Sequence, residues 1–446
     1  MSERDKGMSK GEDSYAGGQA LEPKGRLPSI LSLSIFTLAS AFVTLAFQAD
    51  NNKNVHETLK PIASQVPAGV NRALWRQRIP ADNLTTTPKV ALGRSLFFDK
   101  RLSADGTVSC ATCHDPANAF TDHGPVAVGV SGKVGTRNAP TILNAMFSER
   151  LFWDGRAGSL EEQAKQPLIN QFEMGMGDYD SVVERVRTIP EYRTKFQRIF
   201  RSEGITIETI VKAIAAYERT QLSGNSPFDR FMAGDQSAIT AAQKRGFELF
   251  KGKAKCVECH SFSSVSPFFT DFKFHNTGVV TKNINFEQLS RWASQIANSK
   301  TESRKNKPNN LTSNPPLPNR QTGESTPALA HTEGFTELGR YLVTKQPKDV
   351  GAFKTPTLRD VELTTPYMHN GSEKTLIDVV LFYNRGGNAN PKLDERMQPL
   401  HLSDEEINEL VEFLRALTSD DVLLQSQRAI PQTRKPVRVK PLATKQ

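Results

Sequence analysis

Cysteine is scarce in this chain, with 4 residues in 446, and all of them fall within two pentapeptides. No thiol is therefore left over for a disulfide framework, a separate zinc site or a spare reactive group. Windows that alternate apolar and polar residues are few, which excludes a strand-dominated fold. Uncharged apolar runs long enough to span a bilayer are missing except for residues 27–47, so a single candidate span remains. An excess of one charge is also small over the body of the chain. The formal +9 owes much to the stretch after Asp421, where Arg428, Arg434, Lys435, Arg438, Lys440 and Lys445 occur with no further acid. No nucleic-acid module accompanies that basic end, so a nucleic-acid partner is discounted and the end reads as a solvated tail. With 37% apolar and 24% charged residues the composition is that of a globular protein of two to three domains with a sizeable core.

What the cysteines do is legible from their spacing. Cys110-Ala111-Thr112-Cys113-His114 and Cys256-Val257-Glu258-Cys259-His260 are both C-x-x-C-H, the attachment signature of a c-type haem. In that chemistry the thiols become thioethers on the haem vinyl groups and the adjacent imidazole is the proximal iron ligand. The rival reading, a redox C-x-x-C followed by a chance histidine, would have to occur twice. Two covalent c-type haems are the expectation.

Read in order, residues 1–26 form a polar tail and 27–47 a signal peptide or membrane anchor, with Lys24 and Arg26 just before it and the cleavage-like Ala39-Ser40-Ala41 inside it. Removal and retention as an anchor both stay open. Either way the expected compartment is the periplasm. Residues 48–90 read as a linker, 91–235 as an N-terminal haem domain, 236–420 as a C-terminal haem domain and 421–446 as the basic tail. Helical spacing of apolar residues marks 92–98, 181–186, 193–200, 207–219, 241–250, 376–383 and 404–417. The expected fold class is all-α: two c-type cytochrome domains joined near 225–235, with a mobile surface insertion at about 282–347 whose middle, Lys300 to Pro327, is poor in large apolar residues. Similar helix-turn contexts around the two motifs suggest an internal duplication.

Between and beyond the motifs lie Arg137-Asn138-Ala139-Pro140-Thr141, Phe152-Trp153-Asp154-Gly155-Arg156, Gln163, Pro167 and Glu173, Phe274-His275-Asn276, Lys354-Thr355-Pro356-Thr357-Leu358-Arg359, and Pro366-Tyr367-Met368-His369-Asn370-Gly371. In these the chain resembles the bacterial di-haem cytochrome c peroxidase and MauG superfamily over roughly Leu92 to Leu417. The resemblance implies that the first haem is the peroxide site and the second the electron-transfer haem. It implies further that Glu173 is the distal acid-base, that Gln163 is a distal hydrogen-bonding group with Pro167 shaping the pocket, and that Trp153 relays charge between the haems. Asn138, Thr364 and Pro366 match the positions that help hold a calcium ion, a hard cation that takes carbonyl and water oxygens. His275 and His369 are implied to be structural or haem-contacting, and Arg156 and Arg359 to pair with haem propionates.

Two departures from the ordinary peroxidases matter. The loop Gly129 to Gly135 carries no histidine where many of them have a blocking ligand, and the nearby His123 reads as a loop residue, so the first haem is expected to be five-coordinate. Fourteen residues after His369, where a methionine ligand is usual, stands Tyr383, as in MauG-type enzymes; Met368 and Met397 are the rival ligands. A phenolate ligand donates charge and favours higher oxidation states. One MauG feature is absent: Ala254 replaces the surface tryptophan two residues before the second motif, and Trp292 is a distant substitute. The resemblance thus implies an enzyme reducing hydrogen peroxide, with electrons from a c-type cytochrome or a cupredoxin, or from a side chain of a partner protein as in MauG. A non-enzymatic di-haem electron carrier is the third reading.

Overall fold

Serine, threonine or aspartate stands before most of the apolar-periodic stretches, and helices begin there. The computed structural model describes residues 66–280, 284–289, 291–293 and 334–429, without the side chains of 425–429. The uncharged run 27–47, the stretch Lys300 to Pro327 and the basic residues after 430 lie outside the described residues. The helices are α1 (Arg72–Gln77), α2 (Thr87–Phe97), α3 (Cys110–Cys113), α4 (Leu160–Ile169), α5 (Tyr179–Thr188), α6 (Pro190–Phe200), α7 (Ile207–Glu218), α8 (Pro227–Met232), α9 (Ala241–Lys251), α10 (Tyr341–Thr344), α11 (Leu376–Asn384), α12 (Asp404–Arg415) and α13 (Asp420–Ala429). Side-chain oxygens of Ser159, Asp178, Thr206, Ser226, Thr240, Thr375 and Ser403 accept the N–H three residues on and so start α4, α5, α7, α8, α9, α11 and α12. Each such cap contributes about 1 kcal/mol.

The protein is predominantly helical, but the all-α expectation needs one correction. Strands β1 (Phe274–His275) and β2 (Phe353–Lys354) pair antiparallel, with Phe274 opposite Lys354. Two residues per strand are too few to leave an alternating pattern.

Each cysteine motif follows a helix that packs on a later one in the same way. Helix α2 precedes the first motif and lies against α7, where a Cβ on Gly93 would come within 1.9 Å of the Ala213 carbonyl oxygen. Helix α9 precedes the second motif and lies against α12, where a Cβ on Gly246 would come within 1.9 Å of the Glu409 carbonyl oxygen. Only glycine permits either approach. Leu92, Leu96 and Phe97 of α2 join Ile210 and Ile214 of α7 and Phe196 of α6 in one core. Phe247 and Phe250 of α9 join Leu410 and Phe413 of α12 in a second.

Several connecting stretches prove to be built in. At the expected junction 225–235 sits α8, whose Phe228 enters the second core, 4.9 Å from Phe247 and 5.3 Å from Phe413 between ring centroids. The stretch read as a linker, 48–90, carries α1, with Trp75 buried against Phe147 and Phe268. Helix α13 occupies the start of the expected tail, and its Val422 joins the first core. The two flanks of the insertion form a cluster of their own from Phe286, Leu289, Leu338, Tyr341 and Val350, and Trp292 stacks on Phe335 at 4.9 Å. Low apolar content in the middle of that insertion hid the apolar residues at its edges.

Candidate active site

The one-turn helix α3 puts the Cys110 and Cys113 thiols on neighbouring positions of one face. Its start is fixed by the Ser109 backbone N–H donating to Thr112 Oγ1 at 2.9 Å. The second motif is a tighter 3-10 turn, Cys256–Glu258, entered through Lys255 in the left-handed region at φ 53°. Both histidines are oriented alike. Nδ1 of His114 donates to the Phe120 carbonyl at 3.2 Å and Nδ1 of His260 to the Phe269 carbonyl at 2.9 Å, which leaves each Nε2 as the lone-pair nitrogen. Burial holds both imidazoles below their usual pKa, in the neutral form that ligates metal.

All four cysteines are free of disulfides. Burial pushes the Cys113 and Cys256 thiols up to about 12 and Cys110 further still. A redox dithiol needs the reverse, a stabilised thiolate. A continuous cavity of about 470 Å³ is lined by both motifs, including His114 and His260. Paired thiols, a neutral imidazole with a free nitrogen and an enclosed, mostly apolar space fit a covalent haem at each motif.

On the first motif's side of the cavity, Ser159 starts α4 so that Gln163 and Pro167, four residues apart, both line the space. The chain then turns back: the Glu173 N–H donates to the Asn170 carbonyl at 3.0 Å and the Met174 N–H to the Pro167 carbonyl at 3.1 Å. That turn brings Glu173 into the lining. Burial raises its carboxyl pKa, while Arg156 and a hydrogen bond from Asn170 oppose the rise. The loop Gly129 to Gly135 lies directly against this turn. The Val130 N–H donates to the Glu173 carbonyl at 2.9 Å, and a Cβ on Gly129 would come within 2.1 Å of the Phe172 carbonyl oxygen. No imidazole enters from that loop. His123 is exposed, at φ 56°, and is not part of the lining.

Trp153 sits where several motifs meet. Its indole Nε1 donates to the Asn138 carbonyl at 2.9 Å, the Asn138 N–H donates to the His369 carbonyl at 2.9 Å, and the Lys354 N–H donates to the Trp153 carbonyl at 2.8 Å. The His369 ring lies edge-on to the indole, 6.4 Å between centroids, and stacks on Phe353 at 3.6 Å. On the second motif's side, Tyr383 of α11 lines the cavity, and its hydroxyl makes no hydrogen bond with the described residues. Burial raises its pKa, and the Cys259 and Cys256 sulfurs add to the rise. Met368 and Met397 line the same cavity. Asn138, Thr364 and Pro366 do so too, and Asn138 spends its Nδ2 on the Gly124 carbonyl at 2.9 Å while its Oδ1 accepts no hydrogen bond among the described residues.

Other expected residues are engaged differently. Arg359 is held by Asp229 in a two-pronged pair at 2.7 and 2.8 Å, and its Nε by the Pro267 carbonyl. Arg156 pairs with Asp154 at 3.0 Å. His275 is clasped between Asp271 at 2.9 Å and Asp394 at 2.8 Å. Ala254 is buried.

Two residues that the motifs did not single out are wired into the same region. Glu337, only 1% exposed, joins Arg137 at 3.0 Å to His369 Nε2 at 3.1 Å. Arg340 Nη1 donates to the Asp154 and Gly155 carbonyls at 2.9 and 2.8 Å. Their signal was a Glu-Leu-Gly-Arg run at the edge of a stretch dismissed for its composition.

A family model described as di-haem cytochrome c peroxidase matches residues 87–237. The chain is 36% identical over 413 residues to Cytochrome-c peroxidase IdrP1 of Pseudomonas sp. (strain SCT), covering 91% of this chain and 96% of that one. It is 38% identical over 342 residues to Methylamine utilization protein MauG of Methylorubrum extorquens, covering 76% of this chain and 81% of that one. Among solved structures, a MauG-like protein associated with microbial copper homeostasis superposes with a TM-score of 0.60 at 29% identity, covering 84% of this chain and 98% of that one.

Proposed function

Because the chain belongs to the di-haem cytochrome c peroxidase family, whose members are di-haem oxidoreductases, we propose that it reduces hydrogen peroxide at a five-coordinate first haem held by Cys110, Cys113 and His114. The observation that carries this reading is the grouping of Gln163, Pro167 and Glu173 on the first motif's side of the cavity, beside a loop that offers no imidazole. Bound haem supplies the redox-active iron at which the peroxide O–O bond is cleaved. Glu173 takes the proton from one peroxide oxygen and returns it to the other, and Gln163 hydrogen-bonds the bound peroxide. A carboxyl whose pKa is raised by burial suits both directions of that transfer.

The second haem is assigned to Cys256, Cys259 and His260, with Tyr383 as its sixth ligand. A hydroxyl that makes no hydrogen bond among the described residues, lining the cavity near the Cys256 and Cys259 sulfurs, supports that assignment; Met368 and Met397 line the same cavity. Trp153 relays charge between the two. Asn138 Oδ1, which accepts no hydrogen bond among the described residues, is assigned to calcium with oxygens of Thr364 and Pro366. Export to the periplasm, with residues 27–47 as signal or anchor, goes with covalent haem.

Electrons come from a c-type cytochrome or cupredoxin. Oxidation of a side chain on a partner protein is the second reading, favoured by tyrosine at 383 and opposed by the burial of Ala254. Paramagnetic resonance and optical spectra of the oxidised protein, before and after one equivalent of peroxide without reductant, test the proposal. Expected is a high-spin signal that disappears together with the low-spin one. A wholly low-spin protein, inert until half reduced, would refute the open first site.

A further inference from the structure

The cations lining the cavity are not equivalent. Arg137 is paired with Glu337, Arg156 with Asp154, Arg359 with Asp229 and Arg396 with Asp394. Lys255 is exposed to water. Lys354 lines the same cavity, yet its ammonium makes no hydrogen bond or ion pair among the described residues. Lys354 is half-buried, and a charge withdrawn from most of its water without a partner is costly unless something bound supplies the opposite charge.

Its backbone is fixed on every side. The Lys354 N–H holds the Trp153 carbonyl at 2.8 Å, β2 pairs it with Phe274, and the next residue's N–H holds the Lys273 carbonyl at 2.9 Å. The backbone that carries the ammonium is thus held against the proposed relay Trp153, in a cavity lined by both cysteine motifs. We infer that Lys354 is the counter-cation for a haem propionate in this cavity. The inference rests on the di-haem reading above. Haem brings two carboxylates, and the four guanidinium groups in the lining already have carboxylates of their own. Burial pulls the Lys354 pKa down to about 8 when nothing pairs with it, and a neighbouring propionate would hold it charged.

A cation beside a haem stabilises the reduced form, because reduction adds an electron. Removing it should therefore lower one reduction midpoint. The full-length haem-loaded protein, Lys354→Met and Lys354→Arg are compared by potentiometric titration followed in the optical spectrum, after haem content per chain is counted as the pyridine complex. Expected are two haems per chain throughout, one midpoint shifted down in Lys354→Met, and recovery of most of that shift in Lys354→Arg. Unchanged midpoints in Lys354→Met would overturn the assignment, as would an equal fall in both variants, which would mark a packing effect. If Lys354→Met does not accumulate, Lys354→Gln takes its place with the same expectation. Fewer than two haems in the wild-type chain would overturn the di-haem reading itself, and that outcome is read from the count alone.

Discussion

Glu173→Gln isolates one side-chain function, because the backbone groups of residue 173 do the structural work. Its N–H and carbonyl hold Asn170 and Val130 at 3.0 and 2.9 Å, and the isosteric amide leaves both in place. What is lost is a group able to accept and return a proton. Positioned acid-base groups contribute about 10²–10⁴ in rate, which at 1.36 kcal/mol per tenfold amounts to about 3–5 kcal/mol of barrier. Stopped-flow measurement of the second-order reaction with peroxide should show a fall in that range, with both haem bands intact. The pH profile adds an independent check. Glu173 must be ionised to take the first proton, and burial raises its pKa above the ordinary 4.5. The wild-type rate should therefore be lost as pH falls through a value above 4.5, whereas Glu173→Gln should lack that acid limb. A rate within threefold of wild type, or the same acid limb in the variant, would remove Glu173 from the mechanism.

Asp229→Asn leaves the Arg359 guanidinium, 2% exposed, without its carboxylate; breaking such a pair costs about 3–5 kcal/mol, to be seen as a lower urea midpoint, and a midpoint within error of wild type would refute the claim. Gly129→Ala places a Cβ within 2.1 Å of the Phe172 carbonyl and 2.5 Å of the Glu173 carbonyl. The turn must move, and a displacement near 1 Å can cost about 10² in rate, so the peroxide reaction should slow while the second haem's spectrum stays the same. Tyr383→Phe should change the low-spin signal of the second haem and leave the first high-spin; identical spectra would return the ligand role to Met397 or Met368.

The helices were legible where apolar residues repeat at helical spacing behind a capping side chain. Thr206 ahead of α7 and Ser403 ahead of α12 show this, and both helices lie within a residue or two of where spacing put them. Short elements were not legible. Helix α8 has six residues and its message is two phenylalanines, Phe228 and Phe231, and Phe413, a partner of Phe228, lies far away in sequence. The ladder between β1 and β2 is likewise set by long-range pairing. In the site, residues inside motifs could be named in advance, but their partners could not. The resemblance named Arg359, but its two-pronged partner Asp229, 130 residues away in the chain, was not legible. Lys354 was visible within Lys354-Thr355-Pro356, but not that its ammonium has no partner among the described residues, since that is a property of the folded cavity.

The scattered motifs turn out to be one physical unit around Trp153. The indole is oriented by a carbonyl from Arg137-Asn138, that segment is held by the backbone of Met368-His369, the Trp153 carbonyl is held by Lys354, and the carbonyls of Asp154 and Gly155 are held by Arg340. Each neutral hydrogen bond contributes only about 1 kcal/mol net, so no single one accounts for the arrangement. Together they fix the backbone that carries the ring, while the ring itself is held by its Nε1 bond to the Asn138 carbonyl and by the edge-on His369. Glu337 closes the circle by tying Arg137 to His369, and as a carboxylate 1% exposed to water it is held in place by both partners at once. Its position explains why a stretch whose middle has the composition of a loose insertion ends in a rigid, buried Glu-Leu-Gly-Arg turn. That turn is part of the hydrogen-bonded frame around Trp153, because Glu337 ties Arg137 to His369 and Arg340 holds the Asp154 and Gly155 carbonyls.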